Sequence, residues 1–259
     1  TIEWFSEKGR SEIQEILVQH TANDIDGTFV VSYGNSKTDI LTHDVSADDM
    51  TLALEGLPSI RSAQVQRMAA PGAGSIFGYL WRVTFSGEIG PLPSSLEIDG
   101  TGLSSNVVAS TSRGMDVTLT GTATATQGSP TLATTSDLTT ELATYAFVQI
   151  GPHVRDVYEV LASDSTTITL ARPYEGSTDA TATLKTGFTV PGRLPNGYQS
   201  HVYVPEEGSF TTPYVYVIKS LTTGIPYYVT VSANNERGLS VAQVTVPTML
   251  APPMQKPSE

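Results

Sequence analysis

The sequence predicts a mainly β protein: tandem β-sandwich and small-barrel domains, the first with one short α-helix packed on a sheet. Three observations predict it. Charged residues make up only 15% of the 259 residues, whereas helical surfaces need far more Glu and Lys. Apolar and polar residues alternate at the period of two that gives a strand one buried face, most clearly over residues 227–233. Long segments with a 3.6-residue period, which the crossover helices of an α/β enzyme require, are missing.

The length suits two or three domains, each with a modest core. The pattern divides the chain into an arm (1–10), an α+β domain (11–116), a barrel-like domain (117–187), a β-sandwich (188–250) and a Pro-rich tail (251–259). In the arm, Trp4 and Phe5 stand among charged neighbours and need a surface to cover. They either fold back on their own domain or dock on another subunit, because an extended peptide can complete a neighbour's sheet edge.

The α+β domain contains the best-marked helix. Ser46 is a natural N-cap with Asp49 three residues on, and Val45 with Met50 makes a hydrophobic staple. Met50, Ala53, Leu54 and Leu57 form one apolar stripe, and Gly56 with Pro58 ends the helix. Phe29, Val31 and Tyr33 alternate after the Asp26-Gly27 turn, as do Tyr79, Trp81, Val83 and Phe85 after the Gly72-Ala73-Gly74-Ser75 loop. The order Ile13-Gln14-Glu15-Ile16, Gly27-Thr28-Phe29, Ser46-Ala47-Asp48-Asp49, Ala53-Leu54-Glu55 and Trp81-Arg82-Val83-Thr84-Phe85 resembles a repeat unit of large secreted or surface-displayed proteins in algae, oomycete-like protists and some bacteria. The resemblance implies an extracellular structural or adhesive role and brings no catalytic residues.

Short strand-like clusters follow at Val117 and Leu119, Phe147 to Ile150, Val157 to Leu161 and Thr167 to Leu170, spaced as in a small barrel. For residues 120–140 a disordered Thr/Ser linker is the competing expectation. Gly121-Thr122-Ala123-Thr124, Val148-Gln149-Ile150-Gly151, Tyr158-Glu159-Val160 and Ile168-Thr169-Leu170-Ala171-Arg172-Pro173-Tyr174 resemble the small β-barrel modules of phage tail and cell-surface proteins.

In the last domain Tyr227, Val229, Val231 and Ala233 alternate with Tyr228, Thr230 and Ser232, which sets the first group on the buried face. The spacing Leu221, Gly224, Tyr227, Val229, Val231, Ala233, Asn235, Gly238, Ser240 resembles the last hairpin of a fibronectin type III domain. The resemblance implies that Tyr227 is a corner tyrosine, its ring packed and its hydroxyl bonded to nearby backbone. The segment is short for a complete module. Its early strands come either from residues before the barrel, which makes the barrel an insertion, or from a separate chain. Pro252, Pro253 and Pro257 mark an extended tail.

A net charge of −12, with a pI of about 4.7 and no basic cluster in the linear sequence, argues against nucleic acid and anionic membrane surfaces as partners. Cysteine is absent, so neither a disulfide framework nor a thiolate metal site forms. No apolar run approaches a membrane span, and the opening Thr-Ile-Glu-Trp is not a signal peptide. Asn-x-Ser/Thr sequons are absent, so N-glycosylation is not expected.

Candidate chemistry is sparse. His20, His43, His153 and His201 stand far apart, without metal-ligand spacing, and no serine sits in a Gly-x-Ser-x-Gly elbow. Asn23, Asp24 and Asp26 offer the oxygen ligands calcium takes, although the full twelve-residue loop pattern is missing and turn chemistry explains them better. Asp44, Asp48 and Asp49 suit a helix N-terminus. Tyr198, Tyr203, Tyr214 and Tyr216 are candidates for stacking on sugars, or for cross-strand pairs. No cofactor is implied. The expected function is a non-enzymatic structural subunit of an extracellular filament or surface appendage, assembled head to tail through terminal-arm or strand contacts. The alternative is an adhesin or carbohydrate-binding module of a larger secreted protein.

Overall fold

A computed structural model describes every residue except 8, 72–74, 116, 143–146, 153–156, 188, 205–213, 237 and 253–259. The Gly72–Gly74 loop, His153, and Pro253 and Pro257 of the tail therefore lie outside the described residues. The protein is mainly β, 45% strand and 6% helix, with several sheets and a six-stranded barrel.

Strand β1 (Ile2–Phe5) comes first, followed by β2 (Ile13–His20), β3 (Thr28–Tyr33), β4 (Ser36–Lys37), β5 (Leu41–Thr42), α1 (Ala47–Glu55), β6 (Gln64–Ala69), β7 (Phe77–Thr84), β8 (Leu96–Asp99) and β9 (Val108–Arg113). One antiparallel sheet runs β6-β7-β2-β9, while β4, β5 and β8 pair with β3 in a second. Ile16 lies opposite Trp81, and Val18 opposite Tyr79. Alternation works here as expected: Phe29, Val31 and Tyr33 turn inward from β3 and share one core with Ile16, Val18, Trp81, Val83 and Phe85. The Asp26-Gly27 turn holds Gly27 at φ +97°, the left-handed region that suits glycine.

The helix begins where the capping residues place it. The Ser46 hydroxyl accepts the Asp49 amide at 3.0 Å and donates to the Asp49 carboxylate at 2.7 Å. Met50 and Leu54 are fully buried in the same core, and Leu57 joins them. The Trp81 indole N–H donates to the Val45 carbonyl at 3.0 Å, tying the helix approach to β7.

The second unit is a closed barrel of β10 (Val117–Ala125), β11 (Thr131–Thr134), β12 (Phe147–Ile150), β13 (Val157–Ser163), β14 (Thr167–Leu170) and β15 (Asp179–Thr186), with α2 (Thr139–Leu142) between β11 and β12. Closure leaves no sheet edge. Leu119, Ala123, Leu132, Val148, Ile150, Ile168 and Leu184 fill it. Residues 120–125 and 131–134 are strands rather than linker, because each second side chain has the barrel interior to enter. Three Asp-x-Thr turns close loops here, at Asp137, Asp164 and Asp179, each carboxylate accepting the Thr amide two residues on; Asp99 does the same in the first unit. This repeated motif, which the sequence reading passed over, carries the turn mechanism of an Asx turn.

The last region contains β16 (Gln199–His201), β17 (Tyr228–Val231), β18 (Asn234–Asn235), β19 (Gly238–Leu239) and β20 (Gln243–Val244). Its four-stranded sheet has the order β16-β1-β17-β20, so residues 2–5 supply one of the inner strands. Residues 6–13 run antiparallel beside 190–196, through the Ser6 amide to Asn196, the Arg10–Arg193 bridge and the Ile13–Val190 bridge. A small cluster of Met115, Val157 and Val190, with Ile13 and Phe147, sits where the first unit, the barrel and this ribbon meet. Gly238 lies so close to the Pro58 carbonyl that a Cβ there would overlap it, which seats the β18–β19 hairpin against the residues after α1.

One strand is turned opposite to expectation. Val229 is buried, but Val231 and Ala233 are exposed, while Thr230 and Ser232 are buried. The reason lies in β1. Phe5 and Glu3 stand opposite Tyr228 and Thr230, and Glu3 pairs with Arg61 of the first unit, so that side of the sheet is covered.

Candidate functional site: the strand slot and its aromatic groove

β1 occupies a slot between β16 and β17. Ile2, Glu3 and Trp4 pair with His201, Ser200 and Gln199 on one side, and residues 2–5 pair with Val231 to Tyr228 on the other. Beyond it the Thr1 nitrogen donates to the Ser232 carbonyl at 2.7 Å, and the Ser232 amide returns a bond to the Thr1 carbonyl at 2.9 Å. Trp4 and Phe5, assigned from sequence to an arm, are 6% and 9% exposed. They fold into the chain's own sheet: the Phe5 ring stacks on Tyr228 at 5.7 Å, and Trp4 meets Tyr216 at 6.3 Å.

Successive side chains of a strand point to opposite faces, and β1 uses both. Glu3 is buried on the face toward the first unit. Its carboxylate accepts from the Arg61 guanidinium at 3.1 Å and from the Tyr198 hydroxyl at 2.9 Å. Burial first, and then the bond to Glu3, raises the Tyr198 phenol above its ordinary range. Glu88 stands on the other side of Arg61, and its carboxylate accepts the Arg61 amide at 2.6 Å. Burial raises the Glu88 carboxyl despite that bond and the Arg61 charge. A buried charge without its partner is strongly destabilising, so Glu3 and Arg61 fix the register of β1 against the first unit. Glu12 repeats the device one ribbon turn later, 2.6 Å from Arg113 and accepting the Leu92 amide at 2.9 Å.

On the opposite face a groove of about 680 Å³ opens, lined by Ile2, Tyr203, Tyr214, Tyr216, Val229 and Val231 among others. His201 stacks on Tyr216 at 4.4 Å, and Tyr203 meets Tyr214 edge-on at 5.9 Å. Three of the four tyrosines expected to act together are therefore neighbours. Tyr198 is not among them, because its hydroxyl is held by Glu3 at the junction with the first unit. The size and aromatic lining suit a small-molecule or peptide site.

The expected Tyr227 bond is present: its hydroxyl accepts the Thr222 amide at 3.2 Å, and this bond lowers the phenol's pKa. The ring itself is only half-buried. The calcium candidates serve local structure. Asp26 accepts the Gly27 amide at 2.7 Å, and Asp24 lies 2.9 Å from the His20 ring. Asn23 borders a separate surface pocket together with His43. Among the described residues no group of three or more His, Cys, Asp or Glu is placed to hold a metal ion. No described helix is long and apolar enough to cross a membrane.

Sequence reasoning missed Glu3, Arg61 and the buried Thr230 and Ser232 hydroxyls, which lack hydrogen-bond partners among the described residues. One signal for Glu3 existed: a carboxylate placed between Ile2 and Trp4 in an otherwise apolar strand points to a buried counter-charge. Its partner, 58 residues on, carries no such signal. No protein-family model matches the chain, and neither the curated proteins nor the solved structures contain a match to it.

Proposed function

We propose that the chain is a non-enzymatic structural subunit of an extracellular filament or surface appendage, in which tandem β-domains hold distance and strand exchange joins successive copies. One observation carries this reading: an inner strand of the last sheet comes from residues 2–5, paired with residues 199–201 and 228–231, and the ribbon that follows it leads on to β2. The same ribbon, swung outward, delivers Ile2–Phe5 to the slot of a neighbour with every pairing preserved. Exchange of an identical element between copies is a low-cost route to assembly, and a heterologous contact that does not close yields a fibre. In this reading the domains are an α+β first unit (11–116), a barrel (117–187) inserted between strands of the last sandwich (188–250), the arm of residues 1–10 and the tail 251–259. The strand supplied by residues 2–5 supports the insertion.

Electron microscopy of the full chain and of a variant lacking residues 1–10 tests the reading. Filaments with a regular axial repeat are expected from the first and soluble monomers from the second. Filaments that persist after the deletion would overturn strand exchange.

The aromatic groove favours a second reading, an adhesin or carbohydrate-binding module that works without polymerising. Glycan-array binding lost in Tyr214→Ala and Tyr216→Ala, together with monomeric sedimentation, would favour it over assembly.

A further inference from the structure

Three guanidinium groups converge on a pocket of about 230 Å³ where the barrel meets the ribbon. Arg10, Arg172 and Arg193 line it, with Phe147, Val157 and Glu159. For a chain with 14 basic against 26 acidic residues, such a cluster runs against the bulk charge. It is assembled from positions far apart in sequence, so no linear basic run announces it.

The three are unequally neutralised. Arg193 lies 3.8 Å from Glu7, an exposed carboxylate, and Arg172 lies 2.6 Å from Glu175. The Arg172–Glu175 contact is close but not aligned as a hydrogen bond, and Arg172 Nη1 is left among the buried atoms without one. Arg10 takes part in no ion pair among the described residues. Its Nε donates to the Pro191 carbonyl and its Nη1 to the Val157 carbonyl, both at 3.0 Å. That leaves Nη2 buried and without an acceptor among the described residues. Burial first, then the charges of Arg193 and Arg172, lower Arg10 from the ordinary guanidinium range to about 10. Glu7, Glu175 and the lining Glu159 balance part of the charge, and among the described residues Arg10 is the guanidinium of the three that no carboxylate pairs.

We propose that the pocket binds a tetrahedral oxyanion, sulfate or phosphate, which accepts from Arg10 Nη2 and from the facing edges of Arg172 and Arg193. Guanidinium forks match such oxygens in geometry, and the bonds are charge-assisted. At roughly 30 Å³ per water in the liquid, the pocket has room for the anion and several waters. Because Arg172 belongs to the barrel, Arg10 to the ribbon and Arg193 to the strand beside it, the anion cements the barrel to the rest of the molecule. This inference does not depend on polymerisation.

The test uses the full chain, with sodium sulfate, sodium phosphate and glucose 6-sulfate titrated against sodium chloride at matched ionic strength. Binding is followed by calorimetry and by the NMR resonances of arginine Nε–H groups. Saturable binding is expected, with shifts confined to the three arginines. Arg193→Gln and Arg172→Gln should each weaken it about tenfold or more; the thermal midpoint in chloride should stay at the parent value for Arg193→Gln, and fall for Arg172→Gln, whose guanidinium lies 4.1 Å over the Tyr158 ring of the barrel core. Tighter binding of glucose 6-sulfate than of inorganic sulfate assigns the site to a sulfate ester; the reverse assigns it to the free ion. The proposal is overturned if sulfate produces only the non-saturating stabilisation that excluded salts give any protein, or if both variants bind as the parent does. Should a variant fail to fold, unmoved arginine resonances in the parent would be decisive.

Discussion

The barrel and the last sheet are both antiparallel, yet they solve the same problem in opposite ways. In the barrel every strand has two partners, and Leu132, Ile168 and Leu184 point into a closed interior while Thr118, Thr124, Thr181 and Thr183 are exposed. In the last sheet Thr230 and Ser232 point toward the covered side, and Val231 and Val244 are 45% and 60% exposed. Its ends, β16 and β20, each have one partner. Period-two alternation is therefore compatible with a self-sufficient unit and with one that borrows a strand. The direction of the buried face depends on what covers it.

The largest expected effect separates the two regions. Trp4→Ala should cost about 3–5 kcal/mol, the usual loss for truncating a buried Trp, and that loss should be confined to the last sheet. Hydrogen exchange is the readout: protection of the Tyr228–Val231 amides should fall while that of Leu132 and Ile168 stays. Equal loss in both would mean that the sheet and the barrel open as one unit.

Leu132→Ala in the barrel should cost about 2–5 kcal/mol in denaturant unfolding, whereas Val231→Ala should stay within roughly 0.5 kcal/mol, as exposed substitutions do. Comparable costs would show that the groove is covered in solution. In filaments the inequality should narrow if a neighbour packs on the groove.

Smaller effects probe single bonds. Tyr227→Phe removes the acceptor of the Thr222 amide and should cost about 1 kcal/mol. Thr230→Val replaces an unpartnered buried hydroxyl by a methyl and should be neutral or slightly stabilising; a loss beyond 1 kcal/mol would reveal a partner for that hydroxyl.

The smallest effect concerns pH. Hydrogen bonds from Thr167 and Thr166 hold the Asp164 carboxyl at about 2, below its ordinary value of 3.8. A depressed folded-state pKa adds stability above the unfolded value, and that stability is lost as pH falls through the folded one. Asp164→Asn should therefore be less stable than the parent at pH 7, and the gap should close between about pH 4 and pH 2. A gap independent of pH would mean that the Asp carboxylate is not the group responsible.

Local instructions were plainly legible. Ser46 and Asp49 set the start of α1, and the Met50–Leu57 stripe set its buried side, because capping and a 3.6-residue period act within a few residues. The strands at Phe29–Tyr33 and Tyr79–Phe85 declared themselves through alternation. The Tyr227 hydroxyl bond spans five residues and was expected only through the resemblance of the 221–240 spacing to a fibronectin type III hairpin. Of the aromatic groove, the tyrosines could be nominated, but Tyr198 was misgrouped because nothing local reveals that Glu3 takes its hydroxyl.

By itself, then, the amino-acid order determined the β class, the helix and its caps, and where strands alternate, since each is decided by neighbours within one turn or one strand. Only the tertiary structure decided that residues 2–5 complete a sheet some 200 residues away, that Thr230 rather than Val231 is buried, and that Arg10, Arg172 and Arg193 meet. Those outcomes depend on which distant surface arrives first to cover a face or neutralise a charge, and a one-dimensional pattern does not encode that partner.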